Sequence, residues 1–325
     1  MDSAKPPILF INSNWKPCLE ALEERYTVLN YRDAADRPAL LAQAAPLVRA
    51  LFTNEGSWEP ALMDALPALE LIVLVSNGYE NVDLAKARTR GIRITNTPDE
   101  TTGDVADLAF ALMMATARRM TWAERYVRSG DWRRIGRAPL TRRVHGRRLG
   151  IVGLGSIGRA VARRASGFDM DVCYHGPRRK ADVPYRYFGD LAAMAAEVDF
   201  LAVTCIGGPK TAGIVDADVL EALGPEGIVV NIARGSCIDQ AALISALRAG
   251  SLGGAGLDVY AQEPADPAPF EGLDNVVLTP HYGSGTDDTR RAMNETGFRN
   301  LAAFFEGRPL PTLIPELRPW TLETR

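Results

Sequence analysis

Only four cysteines and three histidines occur in 325 residues, and no two cysteines stand in a Cys-x-x-Cys spacing. Cys18, Cys173, Cys205 and Cys237 are therefore expected to be reduced thiols, with no zinc site, redox motif or disulfide framework. No stretch reaches the roughly 18 uninterrupted apolar residues that a membrane-spanning helix needs. An excess of one charge is missing as well: 37 basic against 40 acidic side chains leave a formal charge of −3. The chain as a whole thus has no electrostatic reason to hold nucleic acid. There is no fixed-period repeat and no low-complexity tract, which argues against solenoids and arrays. Residues 1–14 carry Asp2, one Lys5 and a short apolar run, unlike a secretory leader, so a cytoplasmic protein is expected. What remains is ordinary globular composition, 46% hydrophobic and 24% charged, at a length that suits about two domains.

Short apolar runs alternate with longer helical patterns, the mark of a parallel α/β architecture. Residues 8–11, 28–31, 50–53, 71–75 and 92–95 read as strands, and 83–89 as a helix ended by Gly91. Val105, Leu108, Ala109, Leu112, Met113 and Thr116 recur at helical spacing and predict a long helix over 102–121, with Asp104 and Asp107 near its positive end. A polar, arginine-dense segment over 118–148 reads as a solvated or subunit-facing arm. From 148 onward, six strand candidates follow at 149–152, 171–174, 200–204, 228–232, 255–259 and 276–279, the content of one doubly wound dinucleotide domain. An amphipathic helix over 289–305 ends before Gly307 and Pro309 and could return to the N-terminal domain. The expected division is a substrate-binding domain of residues 1–100 and 287–325 around an inserted Rossmann domain of residues 101–286.

Gly153-Leu154-Gly155-Ser156-Ile157-Gly158 follows the apolar strand at 149–152 and opens the amphipathic segment 157–165, the context a dinucleotide-binding Gly-x-Gly-x-x-Gly turn requires. Gly153 permits the turn, Gly155 the approach of a pyrophosphate, and Gly158 close helix–strand packing; the backbone N–H groups of Ser156, Ile157 and Gly158 present the helix's positive end. An NAD-preferring site places an acid about 20 residues on. Here the next strand ends in His175-Gly176-Pro177-Arg178-Arg179-Lys180, with no acid and three cations. An arginine grips a 2′-phosphate through charge-assisted bonds, so NADPH is the expected cofactor, NADH remaining possible; which of Arg178 and Arg179 points inward is open.

Three downstream segments each end a strand, where open α/β sheets place their ligands. They are Asn231-Ile232-Ala233-Arg234-Gly235, Asp258-Val259-Tyr260-Ala261-Gln262-Glu263-Pro264 and Thr279-Pro280-His281-Tyr282-Gly283-Ser284. Arg234, at the end of a buried strand, costs too much desolvation to be idle. With Thr95-Asn96-Thr97-Pro98 and the glycine turn, these motifs make the chain resemble the D-isomer-specific 2-hydroxyacid dehydrogenases over nearly its whole length.

The resemblance implies an α/β fold in which a Rossmann dinucleotide-binding domain is inserted into a flavodoxin-like substrate-binding domain, and a homodimer. It implies that Arg234 binds the carboxylate of a 2-keto acid and polarises its carbonyl, that His281 donates the proton as hydride arrives, and that Glu263 holds the imidazolium. It places Asp258 at the nicotinamide carboxamide, Thr102 near the nicotinamide, and Cys205, Ala233 and His175 along the cofactor. Ser76-Asn77-Gly78 resembles the loop that takes the substrate carboxylate, with Asn77 and Gly78 as substrate contacts. No metal is implied. His145, in the arginine-rich arm, has no matching role.

Departures from the family pattern narrow the reading. Cys205-Ile206-Gly207-Gly208-Pro209-Lys210-Thr211 looks like the glyoxylate/hydroxypyruvate reductase branch, although Ile206 stands where that branch often has proline; Glu263 argues against the formate dehydrogenase branch. The expectation is an NADPH-preferring reductase of small 2-keto acids to D-2-hydroxy acids. A larger substrate of the 2-ketogluconate or phenylpyruvate type stays open, because the candidate loop at 53–58 carries Glu55 and Trp58. A non-catalytic, dinucleotide-sensing corepressor-like protein is the alternative of another class.

Overall fold

The computed structural model describes residues 5–13 and 15–318. The ends of the leader reading (1–4 and 14) and of the expected substrate-binding segment (319–325) lie outside the described residues. The chain divides into two units, one running to Thr101 and resuming at Ser284, the other spanning Thr102–Gly283.

Among the described residues each unit holds one parallel sheet. In the first, β1 (Pro7–Phe10), β2 (Thr27–Asn30), β3 (Ala50–Thr53), β4 (Leu71–Leu74) and β5 (Arg93–Thr95) lie in the order β2-β1-β3-β4-β5, the flavodoxin-like arrangement. β3 and β4 are buried along their whole length, which is why they read as unbroken apolar runs. The helix Leu84–Arg90 is capped by the Asp83 carboxylate and stopped by Gly91 in the left-handed conformation. The helix Asp287–Phe305 begins at Thr286, whose hydroxyl accepts the N–H of Thr289.

In the second unit, β6 (Arg148–Val152), β7 (Asp171–His175), β8 (Arg186–Phe188), β9 (Phe200–Val203), β10 (Ile228–Asn231), β11 (Gly254–Leu257) and β12 (Val276–Leu278) lie in the order β12-β11-β10-β9-β6-β7-β8. The strand order reverses between β6 and β9, so ligands are expected at the carboxyl ends around that point. The helix Thr102–Ala117 lies directly on β11: a Cβ at Gly256 would come 2.9 Å from the Leu112 Cβ, and one at Gly254 would come 2.8 Å from the Thr116 Cγ2. The two glycines of β11 are what let that helix settle so close.

Two details differ from the sequence expectation. The sheet has seven strands, the addition being β8, a three-residue edge strand whose Arg186 is exposed and paired with Glu197. The long helix ends at Ala117 rather than running to 121, because Arg119 turns left-handed at φ 49° and a separate helix, Met120–Arg128, begins. The arm expected as a polar connection thus carries that helix and Asp131–Ile135.

Candidate active site

The glycine turn has the shape that a pyrophosphate needs. Gly153 adopts φ 93°, and a Cβ there would fall 2.5 Å from the Cys205 Cα; at Gly158 it would fall 2.3 Å from the Gly153 carbonyl oxygen. Neither position tolerates a side chain. A Cβ at Gly155, by contrast, would meet open space, which is the room a ligand's phosphates would occupy. The helix Ser156–Ser166 starts there with no side-chain cap, so its first N–H groups face outward from the turn. Thr204, at the end of β9, fastens the turn by donating its hydroxyl to the Gly153 carbonyl at 2.6 Å. The residues therefore fit a dinucleotide. Thr102, the first residue of its helix, adds a buried hydroxyl without a partner among the described residues.

At the end of β7 the His175 Nδ1 lies 3.1 Å from the Phe188 carbonyl, which requires Nδ1 to carry the proton. Beyond it, Lys180 donates its backbone N–H to the Tyr174 hydroxyl at 2.6 Å and holds the turn back against the strand. Arg178 and Arg179 are exposed and neither forms a hydrogen bond or ion pair with another described residue.

Arg234 follows β10. Its stem packs on the backbone of Gly207, where a Cβ would come 2.6 Å from the Arg234 Cγ, and its guanidinium donates to the Ala233 carbonyl at 2.9 Å. Asn231 sets the turn, taking the Ala233 N–H and giving its amide N–H to the Arg234 carbonyl, each at 3.0 Å.

His281 and Glu263 meet. The His281 Nδ1 lies 2.5 Å from Glu263 Oε2, and the other carboxylate oxygen accepts the Tyr260 N–H at 3.0 Å. His281 has φ 49°, a conformation that a residue with a Cβ holds only where its surroundings impose it. The surroundings are Asp258: Thr279 donates its hydroxyl to Oδ1 at 2.6 Å, Tyr282 its N–H to Oδ1 at 3.0 Å, and Gly283 its N–H to Oδ2 at 3.0 Å. Tyr260 adds a bond from its hydroxyl to the Thr279 carbonyl at 2.8 Å. Burial pushes the Asp258 carboxyl above the ordinary range, against the lowering effect of these donors and of the His281 charge.

Asp258 was expected at a nicotinamide; here its carboxylate braces the histidine loop from both sides. Thr279, Tyr282 and Gly283 were not among the expected site residues, although the Thr-Pro-His-Tyr-Gly run names them. Asn77 and Gly78 lie in the other unit, just past β4, where Asn96 donates its amide N–H to the Asn77 carbonyl at 2.8 Å and Ser76 its hydroxyl to the Gly78 carbonyl at 2.9 Å. His145 is exposed on a turn. No group of metal-ligating side chains occurs among the described residues, and none of their helices is long and apolar enough to cross a membrane.

Comparison with known proteins gives the family and the fold. Residues 110–283 match the family model described as D-isomer specific 2-hydroxyacid dehydrogenase, NAD binding domain. A hydroxyphenylpyruvate reductase of Plectranthus scutellarioides is 44% identical over 91% of this chain and 94% of its own. A glyoxylate/hydroxypyruvate reductase of Arabidopsis thaliana is 43% identical over 90% and 94%, and a 2-ketogluconate reductase of Gluconobacter oxydans 40% over 96% and 99%. Among solved structures, a 2-hydroxyacid dehydrogenase from Ketogulonicigenium vulgare superposes with a TM-score of 0.91 at 46% identity, covering 96% of this chain and 99% of that one. The NADPH-dependent glyoxylate/hydroxypyruvate reductase of Sinorhizobium meliloti, in complex with NADP and malonate, gives 0.87 at 36% identity, covering 96% and 98%.

Proposed function

The chain belongs to the D-isomer-specific 2-hydroxyacid dehydrogenase family, and from that premise we propose that it reduces small 2-keto acids of the glyoxylate/hydroxypyruvate type to D-2-hydroxy acids, with NADPH preferred over NADH. The observation that carries the reading is the 2.5 Å contact between His281 and Glu263 on a loop held in a strained conformation by Asp258.

The reduced nicotinamide, when bound, supplies a hydride to the keto carbon. Gly153, Gly155 and the N–H groups of Ser156, Ile157 and Gly158 would hold its pyrophosphate, with Thr102, His175, Cys205, Ala233 and Asp258 lining it and Arg178 or Arg179 gripping a 2′-phosphate. Arg234, a permanently charged fork, binds the substrate carboxylate and polarises the carbonyl; Asn77 and Gly78 add contacts to the same carboxylate. Glu263 fixes Nδ1 of His281, which leaves Nε2 as the nitrogen that delivers the proton to the carbonyl oxygen. The loss of that proton leaves the imidazole neutral and still tied to Glu263, ready to take it back in the oxidative direction.

Larger substrates form a second reading, favoured by Trp58. That residue lies in the loop after β3, and its buried indole N–H has no acceptor among the described residues, a donor suited to a hydroxyl of a sugar acid. We further propose a cytoplasmic homodimer, in which the arm over residues 118–148 pairs with a second copy.

A panel of 2-keto acids, from glyoxylate and hydroxypyruvate through 2-ketogluconate to 4-hydroxyphenylpyruvate, run with both cofactors, tests the reading. NADPH oxidation fastest with the two small acids is expected. Inactivity across the panel would leave a dinucleotide-binding protein without the chemistry.

A further inference from the structure

Two cysteines that the sequence holds 32 residues apart meet in the fold. Cys205 follows β9, Cys237 closes the 3₁₀ turn Gly235–Cys237 directly after Arg234, and their sulfurs are 3.8 Å apart as free thiols. That is van der Waals contact, about 1.8 Å longer than an S–S bond.

Their surroundings differ from those of the other two thiols. Cys18 and Cys173 are buried, and desolvation pushes both up to about 12. At Cys237 the Cys205 thiol donates to the sulfur, outweighing burial with help from the Arg234 backbone, the Thr211 hydroxyl and the Arg234 charge, so its acidity is increased. Cys205 is half-buried whereas Cys237 is fully buried, so a small oxidant reaches the pair from the Cys205 side.

The pair is packed against both halves of the candidate site. The Cys205 Cα lies 2.5 Å from the place a Cβ would take at Gly153, and two residues on, Gly207 touches the Arg234 stem. The turn that bears Cys237 starts from Arg234, whose carbonyl accepts the Cys237 N–H at 3.0 Å. The two sulfurs thus join the segment 205–207 to the turn 235–237, and Arg234 is in contact with the first and begins the second, so a bond between them acts on the elements that set Arg234.

We propose that Cys205 and Cys237 form an oxidisable dithiol, which a peroxide converts to a disulfide that displaces Arg234 and suspends activity until a thiol reductant restores it. In the first step a thiolate sulfur attacks a peroxide oxygen; the O–O bond breaks, a sulfenic acid forms and hydroxide leaves. The second thiol then attacks the sulfenic sulfur, the S–S bond forms, and the displaced hydroxyl leaves as water with that thiol's proton. The two sulfurs give up two electrons, and hydrogen peroxide is reduced to two waters. The loss of activity rests on the reductase reading; the cross-link does not.

The test treats the full chain with hydrogen peroxide and follows it by intact mass, by non-reducing peptide mapping and by NADPH oxidation. The expected result is a species lighter by two hydrogen atoms, a Cys205–Cys237 cross-linked peptide, and kcat/KM lower by about 10–100-fold, the scale of an ångström's misplacement of a binding group. Dithiothreitol should reverse all three. Cys237→Ser should keep the untreated rate, form no cross-link and stay active in peroxide. Four thiols still open to alkylation after peroxide would overturn the proposal, as would reversible inhibition that persists in Cys237→Ser. A cross-link with unchanged turnover would overturn the coupling to Arg234. A cross-link in a chain inactive on every keto acid would support the dithiol and count against the reductase reading instead.

Discussion

Glu263 holds His281 with one carboxylate oxygen, 2.5 Å from Nδ1, and anchors itself to the Tyr260 N–H with the other. The carboxylate is thus fixed at both ends, and the imidazole has one nitrogen left for a substrate. Both side chains keep solvent contact, His281 being 48% and Glu263 33% exposed, which leaves the pair open to a ligand.

Removal of the imidazole should therefore remove the proton donor and little else. His281→Ala is expected to lower kcat by about 10²–10⁴ with keto acid while NADPH binding, followed by fluorescence titration, stays within a few-fold. Glu263→Gln should cost less than His281→Ala, because the imidazole stays in place, although the amide has one acceptor oxygen for the Tyr260 N–H and Nδ1–H together and no longer balances the imidazolium charge. A His281→Ala enzyme at wild-type rate would take His281 out of the chemistry.

Asp258 predicts a coupling between stability and rate. An amide in its place has one acceptor oxygen, yet Oδ1 takes the Thr279 hydroxyl and the Tyr282 N–H while Oδ2 takes the Gly283 N–H. Whichever way the amide turns, a buried donor faces a donor. Asp258→Asn should thus lose about 1–3 kcal/mol in denaturant unfolding, together with kcat. An unchanged kcat beside a lowered midpoint would mean that His281 keeps its backbone conformation without the brace.

The cofactor turn makes a charge prediction. Arg178 and Arg179 are exposed and have no partner within the described chain, so their neutralisation should do little to the fold. The double change to Gln should raise KM for NADPH by at least about tenfold and barely move it for NADH, each lost charge-assisted bond being worth about 1.5–3 kcal/mol. Equal effects on the two cofactors would show that neither arginine reads the 2′-phosphate.

Most strands were legible because a parallel sheet buries both faces of its inner strands, which leaves unbroken runs such as Leu71–Leu74 and Ile228–Asn231. β8 was not: it is three residues long, lies at the edge, and begins with an exposed arginine. The helix break at Arg119 carries no glycine or proline to announce it. At the site, single residues could be read from motifs, but their partnerships could not. That Asp258 serves the histidine loop follows from β11 lying beside β12 in register, Leu257 opposite Leu278. Likewise, Cys205 and Cys237 meet only because β9 and β10 are neighbours and each thiol follows its strand.

Acid should weaken the second unit through Asp199. Burial would raise its carboxyl, but the Arg148 backbone N–H and guanidinium, with Arg147 beside them, hold it below the ordinary range. A lowered folded-state pKa gives stability that is present above the unfolded value, about 3.9, and lost as pH falls through the folded one. Asp199→Asn should therefore be less stable at pH 7, by about 1 kcal/mol for a partly exposed pair, and lose less on acidification below about pH 4. Parallel stability–pH curves for the two proteins would rule this contribution out.

The arm is where the chain departs most from a comfortable monomer surface. Met120, Val127, Trp132, Ile135 and Leu140 are all exposed, Trp132 at 61% and Leu140 at 98%, within a stretch of some twenty residues that also carries Arg125, Arg128, Arg133, Arg134 and Arg137. Apolar side chains concentrated in this way mark a surface that another protein covers, and the arginines suit its rim. If a second copy covers it, light scattering should give twice the chain mass at micromolar concentration. Trp132→Glu with Leu140→Glu should halve that mass, because two carboxylates would have to be desolvated at the interface. The substituted side chains are solvent-exposed, so the change should leave the far-ultraviolet circular dichroism of the monomer intact. A wild-type chain that stays at monomer mass over the whole accessible concentration range would remove the homodimer and leave the arm's apolar residues to some other partner.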